Sequence, residues 1–209
     1  MYTDPSGEFI FTIITAIFDG VKNIFKHGVN FDNYDWNRTQ MAWKIDIGLF
    51  TLDSNRNFSG QTWQMISRFT WELPQTLIGY TYSSMRNLSG EVDEVEYFGG
   101  ATFVINENTS ERWGISLGNY INANIHGDLN RNFKDGWINS EDGLFWHEYG
   151  HTFQSNTWGP SYIFAVGLPS ATGAAWTEIG ANVAAWKYAQ RHNYMEHWWF
   201  SLSHPLNTE

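Results

Sequence analysis

A chain of 209 residues with 42% apolar content is long enough to bury one full core, with at most a small appended lobe. It contains no cysteine, which excludes disulfides and thiolate-ligated metal. Twelve basic residues against 22 acidic ones leave a net charge of -10, a balance that repels phosphate backbones and argues against nucleic acid as a partner.

The chain opens with Met1-Tyr2-Thr3-Asp4-Pro5-Ser6-Gly7-Glu8, in which Asp-Pro-Ser-Gly is a turn signal with Pro at its second position and Gly at its fourth. These eight residues resemble the closing segment of the Rhs repeat-associated core, where such a string ends the shell and hands over to a variable C-terminal domain. Around residues 68–76 and 159–162 the chain is also similar to Rhs-tail domains of Bacteroides-type bacteria. The resemblance implies that residues 1–8 are the tail of an Rhs core and residues 9–209 a single cargo domain. It further implies export or cell-surface display within a larger bacterial protein, contact with the Rhs shell of that protein, delivery into a target cell as a toxin, and an immunity protein as a partner.

Residues 9–18 are apolar, but they follow acidic residues, lack a small-residue cleavage site and are too short to cross a bilayer. Neither a signal peptide nor a membrane span is expected. Residues 8–26 read as a helix with Phe11, Ile14, Phe18 and Val21 along one side. Residues 42–52 alternate in the manner of a strand. Pro74 suits the first turn of a helix running toward Met85, and Ser89-Gly90 ends it. The best strand pair is 94–105 with 113–121, placing Val95, Tyr97, Thr102 and Val104 against Ile115, Leu117 and Tyr120, with Gly99-Gly100 as a bulge. The long polar stretch 123–140 is expected to be a solvated loop rimming a cleft. Asp128, Asn130 and Asn132 are spaced like the opening of a calcium loop, but Phe133 replaces its glycine and Asn139 its closing glutamate.

The strongest pattern follows, in Leu144-Phe145-Trp146-His147-Glu148-Tyr149-Gly150-His151-Thr152-Phe153. It contains H-E-x-x-H. Residues four apart on a helix lie one above the other, so His147 and His151 can offer two imidazoles to one metal ion with Glu148 beside them. Zinc accepts neutral imidazole and carboxylate and leaves a corner for water in catalytic sites. Glu148 can then serve as general base toward that water. No charged residue other than Glu148 falls between Gly143 and Gln154, as expected of a buried active-site helix.

Residues 156–173, with Gly159-Pro160 and Leu168-Pro169, read as a connection holding at most a short helical piece. Residues 176–188 then read as a helix whose stripe is Trp176, Ile179, Val183 and either Trp186 or the stem of Lys187. Glu178 and Asn182 share a face of it. The first is the candidate third metal ligand, and the second a partner that orients a ligating histidine through its free ring nitrogen.

H-E-x-x-H followed after a loop by a helical glutamate resembles the gluzincin branch of zinc metallopeptidases, which includes the thermolysin-like enzymes. Asn182 stands where that group often has aspartate. The extended metzincin pattern H-E-x-x-H-x-x-G-x-x-H is absent. The resemblance implies an α+β, zincin-like fold, with a small mostly antiparallel sheet packed on the active-site helix to about residue 156 and a mainly helical, ligand-bearing part over 157–209. It implies a peptide or protein substrate, and a residue beyond the Glu178 helix that steadies the oxyanion. His192 and His197 lie there, and Tyr162 joins them as a candidate. The expected function is a secreted zinc-dependent metallopeptidase with His147, His151 and Glu178 as ligands. The alternative is a non-catalytic tip domain that binds glycan or protein through its abundant aromatics, with zinc as a structural staple.

Overall fold

Four strands form a mixed sheet in the order β1-β2-β4-β3, where β1 is Glu94–Phe98, β2 Ala101–Ile105, β3 Gly114–Leu117 and β4 Tyr120–Ala123. The structure, a computed structural model, describes residues 15–17, 19, 22, 35–107, 112–125 and 143–194. The chain is α+β. The Rhs-like segment 1–8, the loop 126–142, and His27, His126, His197 and His204 lie outside the described residues.

Each of the two strand blocks expected from the sequence is itself a hairpin. Gly99 and Gly100 both have positive φ, 58° and 82°, and join β1 to β2 in a two-residue turn of the kind that glycines favour, not in a bulge. Gly118, at φ 64°, opens the corresponding turn between β3 and β4. The expected pairing of the two blocks is therefore kept only between their inner strands, and the outer strands pair within their own block. The blocks meet through β2 and β4, which run parallel with Phe103 opposite Ile121, while the two hairpin pairings are antiparallel. The strand β2 is buried along its whole length, so its run Ala-Thr-Phe-Val-Ile serves both faces of the sheet at once.

On one face lie α1 (Trp36–Ile47) and α3 (Leu73–Leu88), packed through Met41, Ile45, Leu49 and Tyr80 on Val95, Val104 and Tyr120. The strand expected over 42–52 is instead α1 followed by a 3-10 turn, Gly48–Phe50. Asp35 caps the helix by accepting from the Arg38 amide at 3.0 Å. Met41, Ile45 and Leu49, four apart, are buried, whereas Trp43 and Ile47, which produced the alternation, are partly exposed. Pro74 falls in the first turn of α3, and Ser89 caps its end as expected. Between these helices, α2 (Phe58–Phe69) starts at Asn57, whose side chain accepts from the Gly60 amide. Residues 15–17, 19 and 22 are helical, as expected of 8–26, and Asp19 makes a buried ion pair with Arg38.

The other face is covered by α4 (Gly143–Trp158) and α6 (Ala175–Arg191), through an aromatic core in which Phe103 stacks on Phe145 and Phe98 meets Trp146 edge-on. The connection between these two helices is more helical than expected. It runs through a 3-10 turn at Gly159–Ser161, a π-helical turn at Ile163–Gly167 and the short α5 (Leu168–Ala171). The stripe expected on α6 is also corrected. Trp176 and Ile179 are 53% and 41% exposed, and the buried face is Thr177, Ala181, Asn182, Ala185, Tyr188 and Ala189. Mostly small residues win this face because they let α6 come very close to α4. A Cβ on Gly150 would collide with the main-chain carbonyl of Ala181. Gly150→Ala is thus expected to destabilise the protein by about 1–3 kcal/mol through overpacking, read by denaturant unfolding. A stability within error of the parent would show that the two helices can part at no cost.

Candidate metal centre

One turn of α4 places His147 directly below His151, with their rings edge-on at 4.8 Å, and the first turn of α6 brings Glu178 against both. The Nε2 atoms of the two histidines are 3.2 Å apart. Glu178 Oε2 is 3.0 Å from His147 Nε2 and 4.0 Å from His151 Nε2. Donors held about 2.0–2.1 Å from a common centre at tetrahedral angles would be ~3.3 Å apart. The three atoms straddle that spacing, and this His-His-Glu group can hold a metal ion.

The outer ring nitrogens make the case stronger. Gln154 donates from Nε2 to the Thr177 carbonyl at 2.7 Å, so its Oε1 is the atom facing His151 Nδ1, also at 2.7 Å. The proton of neutral His151 therefore sits on Nδ1, and Nε2 presents a lone pair to the cluster. Asn182 Oδ1 does the same for His147, at 2.9 Å from Nδ1. Two lone pairs and a carboxylate then converge among buried groups, an arrangement that needs a shared positive charge. A proton on His147 can supply that charge when no metal is bound. Burial opposes protonation of His147, but its hydrogen bond to Glu178, the charge of Glu148 and the Asn182 contact together raise its pKa above the ordinary value. Burial lowers that of His151. Glu178 is half-buried, which favours its neutral form, yet hydrogen bonds from His147 and from Ser170 and the charge of His151 bring its pKa down to about 2. The Thr177 hydroxyl lies 3.0 Å from its Oε1 and 2.6 Å from the Ala174 carbonyl.

These shifts set a pH dependence. The raised His147 pKa gives the metal-free protein stability that is complete below the usual imidazole value and is lost as pH rises through the folded value. The lowered Glu178 pKa gives stability present above the usual carboxylate value and lost only as pH falls toward about 2. The metal-free pair is therefore strongest in mild acid. A metal ion must displace the His147 proton, so its binding strengthens as pH rises. The increase in melting temperature on adding a divalent metal ion should be smaller at about pH 5.5 than at about pH 8, below and above the ordinary imidazole value. Equal increments at the two pH values would contradict displacement of a proton.

The cluster opens on a cleft of about 480 Å³ walled by Trp113, Ile115, Leu144, Ile163 and Leu168. By comparison, a pocket of about 30 Å³ between Arg68 and Gly118 has room for little more than a water. Glu148 lines the cleft beside the two histidines and is 5% exposed. Its carboxylate meets β3, the edge strand. Ser116 Oγ lies 2.6 Å from Glu148 Oε2, and a Cβ on Gly114 would strike the carboxylate. Tyr162 also lines the cleft, and its hydroxyl donates to the Ser116 carbonyl at 3.0 Å. Burial first, then the charges of Glu148 and Glu178, holds that phenol protonated by raising its pKa.

The structure thus brings together His147, Glu148, His151, Tyr162, Glu178 and Asn182. It does not bring His192 to them. That residue follows α6, fourteen positions and ~21 Å of helix beyond Glu178, where its ring rests against Tyr188. Ser116, Gln154 and Ser170 were missed. Only Gln154 left a local signal, since it lies one helical turn after His151 on the same face.

Fold and site together define an α+β protein with a group of two histidines and a glutamate that can hold a metal ion at the floor of a cleft. No family model, curated protein or solved structure matches the chain. Among the described residues, no helix is long and apolar enough to cross a membrane.

Proposed function

We propose that this chain is a zinc-dependent hydrolase of the zincin type, a gluzincin-like metallopeptidase. The observation that carries the reading is the convergence of His147, His151 and Glu178 on one point with Glu148 beside them in an open cleft. A ligand set of two imidazoles and one carboxylate suits zinc, and the outer hydrogen bonds that the two histidines donate to Asn182 and Gln154 are of the kind that orient zinc ligands. The cleft supports a catalytic over a purely structural role, because all three candidate ligands border space that a substrate can enter.

A zinc ion held there would polarise a substrate carbonyl and make water a better nucleophile near neutral pH. Glu148 receives a proton from the attacking water and returns it to the leaving amine. Asn182 and Gln154 keep both histidines in the tautomer that offers Nε2. The edge strand β3 presents main chain along the cleft, where an extended peptide can pair with it. Protein purified without chelator should contain about one zinc per chain and cleave peptide, a stoichiometry typical of such sites. Zinc well below that level, or no hydrolysis of a peptide library, would refute the reading.

The resemblance of residues 1–8 to the end of an Rhs core supports a role as the C-terminal effector of an exported bacterial protein, cleaving a protein in a target cell. Residues 8–209 expressed inside a susceptible bacterium should then slow its growth, and Glu148→Gln should relieve the effect. Equal growth of both strains at matched protein levels would remove the toxin role in that host.

A further inference from the structure

Of all contacts that Glu148 makes, the one with β3 has no counterpart in the H-E-x-x-H pattern. A carboxylate acting as proton carrier has two chemically equivalent oxygens, and free rotation about its side-chain torsions would spread the base over several positions. In this protein the two oxygens have different surroundings. Oε2 lies 2.6 Å from Ser116 Oγ, a short charge-assisted hydrogen bond between groups that are 5% and 6% exposed. Oε1 lies under Gly114, two residues along the same strand and on the same face, where any Cβ would overlap it. The strand itself is held at that depth from outside, because the buried Tyr162 hydroxyl donates to the Ser116 carbonyl. Ser116 Oγ also lies 2.9 Å from the main-chain carbonyl of Glu148, which keeps the hydroxyl over the first residues of the motif whichever way its proton turns.

We infer that Ser116 is a positioning residue that anchors Glu148 through Oε2 and leaves Oε1, beneath the bare Cα of Gly114, as the oxygen that carries the proton. This inference rests on the hydrolase reading above. In the step it serves, the water oxygen bonds to the scissile carbonyl carbon while its proton passes to Oε1. The same proton then goes to the amine nitrogen as the C–N bond breaks. The anchored oxygen takes no part in the transfer. The inference also gives Tyr162 a task different from oxyanion support, since its hydroxyl is engaged with the strand that carries the anchor.

The test compares the zinc-loaded parent with Ser116→Ala and Ser116→Thr. Removing an outer hydrogen bond of this kind typically costs 10–100-fold, so Ser116→Ala should lower kcat by about that factor with KM and zinc content unchanged. Ser116→Thr, which retains the hydroxyl, should recover most of the rate. In a Glu148→Gln background, Ser116→Ala should add little further loss, because the two residues act as one unit. A crystal structure of zinc-loaded Ser116→Ala should show the Glu148 carboxylate rotated away from β3 or split between rotamers. Overturning results are an unchanged kcat, an equal loss in the threonine variant, a full additive loss in the Glu148→Gln background, or a carboxylate that stays in place in the crystal. Absence of hydrolysis by the parent would refute the hydrolase reading alone, and the crystal comparison would still decide whether Ser116 anchors Glu148.

Discussion

Glu148→Gln is expected to leave zinc content and melting temperature near those of the parent while lowering kcat by about 10²–10⁴-fold, the usual contribution of a positioned general base. Two features of the structure and the chemistry of glutamine set this combination. Glu148 is not among the three residues whose atoms converge on the candidate metal position, so an amide in its place should not disturb binding. Its side chain is buried against β3, where glutamine has the same shape and can still accept the Ser116 hydrogen bond through its carbonyl oxygen. What glutamine cannot do is take up a proton. A kinetic assay alongside elemental analysis checks both halves. Turnover at the parental rate would remove Glu148 from the mechanism, and loss of zinc together with activity would mean that it acts as a ligand.

Removing the metal or one of its ligands should have the second largest effect, and on stability as well as activity. If zinc is present at about 100 times its dissociation constant, its binding stabilises the fold by about 2.7 kcal/mol. For a chain of this size that corresponds to about 5–11 °C of melting temperature. Chelation of the parent should therefore lower the transition by roughly that amount and restore dependence on the His147 proton. His151→Ala or Glu178→Ala should melt at one temperature with or without chelator. Asn182→Ala should weaken zinc by a smaller factor, about 10–100-fold, because it loses only the contact that fixes the tautomer of His147. Competition with a chromogenic chelator measures each. A parent whose transition ignores chelator would show that metal is no part of its folded state.

The sheet and the α6 packing face show where reading the chain alone goes astray. Residues 42–52 satisfy period-two and period-four patterns over so short a window that their apolar residues do not choose between them. Burial of Met41 and Ile45 against Val95 and Val104, some fifty residues away, makes the choice. The parallel meeting of β2 and β4 is likewise a long-range pairing with no local turn to announce it. On α6, large apolar residues mark the exposed side, because close approach of two helices selects small residues that a hydrophobicity pattern underweights.

What the sequence determined by itself is whatever the helical repeat enforces. Four-residue spacing aligns His147 with His151 and Glu178 with Asn182 on any regular helix, so both halves of the candidate centre were legible before any fold was known. The two-glycine turn and the Pro74 helix start are local in the same sense, although a glycine pair by itself fits a bulge as well as a turn. Only the tertiary structure decided that the two helices pack with Gly150 against Ala181, which closes His147 and Glu178 to 3.0 Å. It alone placed an edge strand over Glu148, so that Ser116, thirty-two residues earlier in the chain, meets that carboxylate. Backbone geometry sets distances within one helix, whereas distances between elements depend on which side chains are small enough to let them meet.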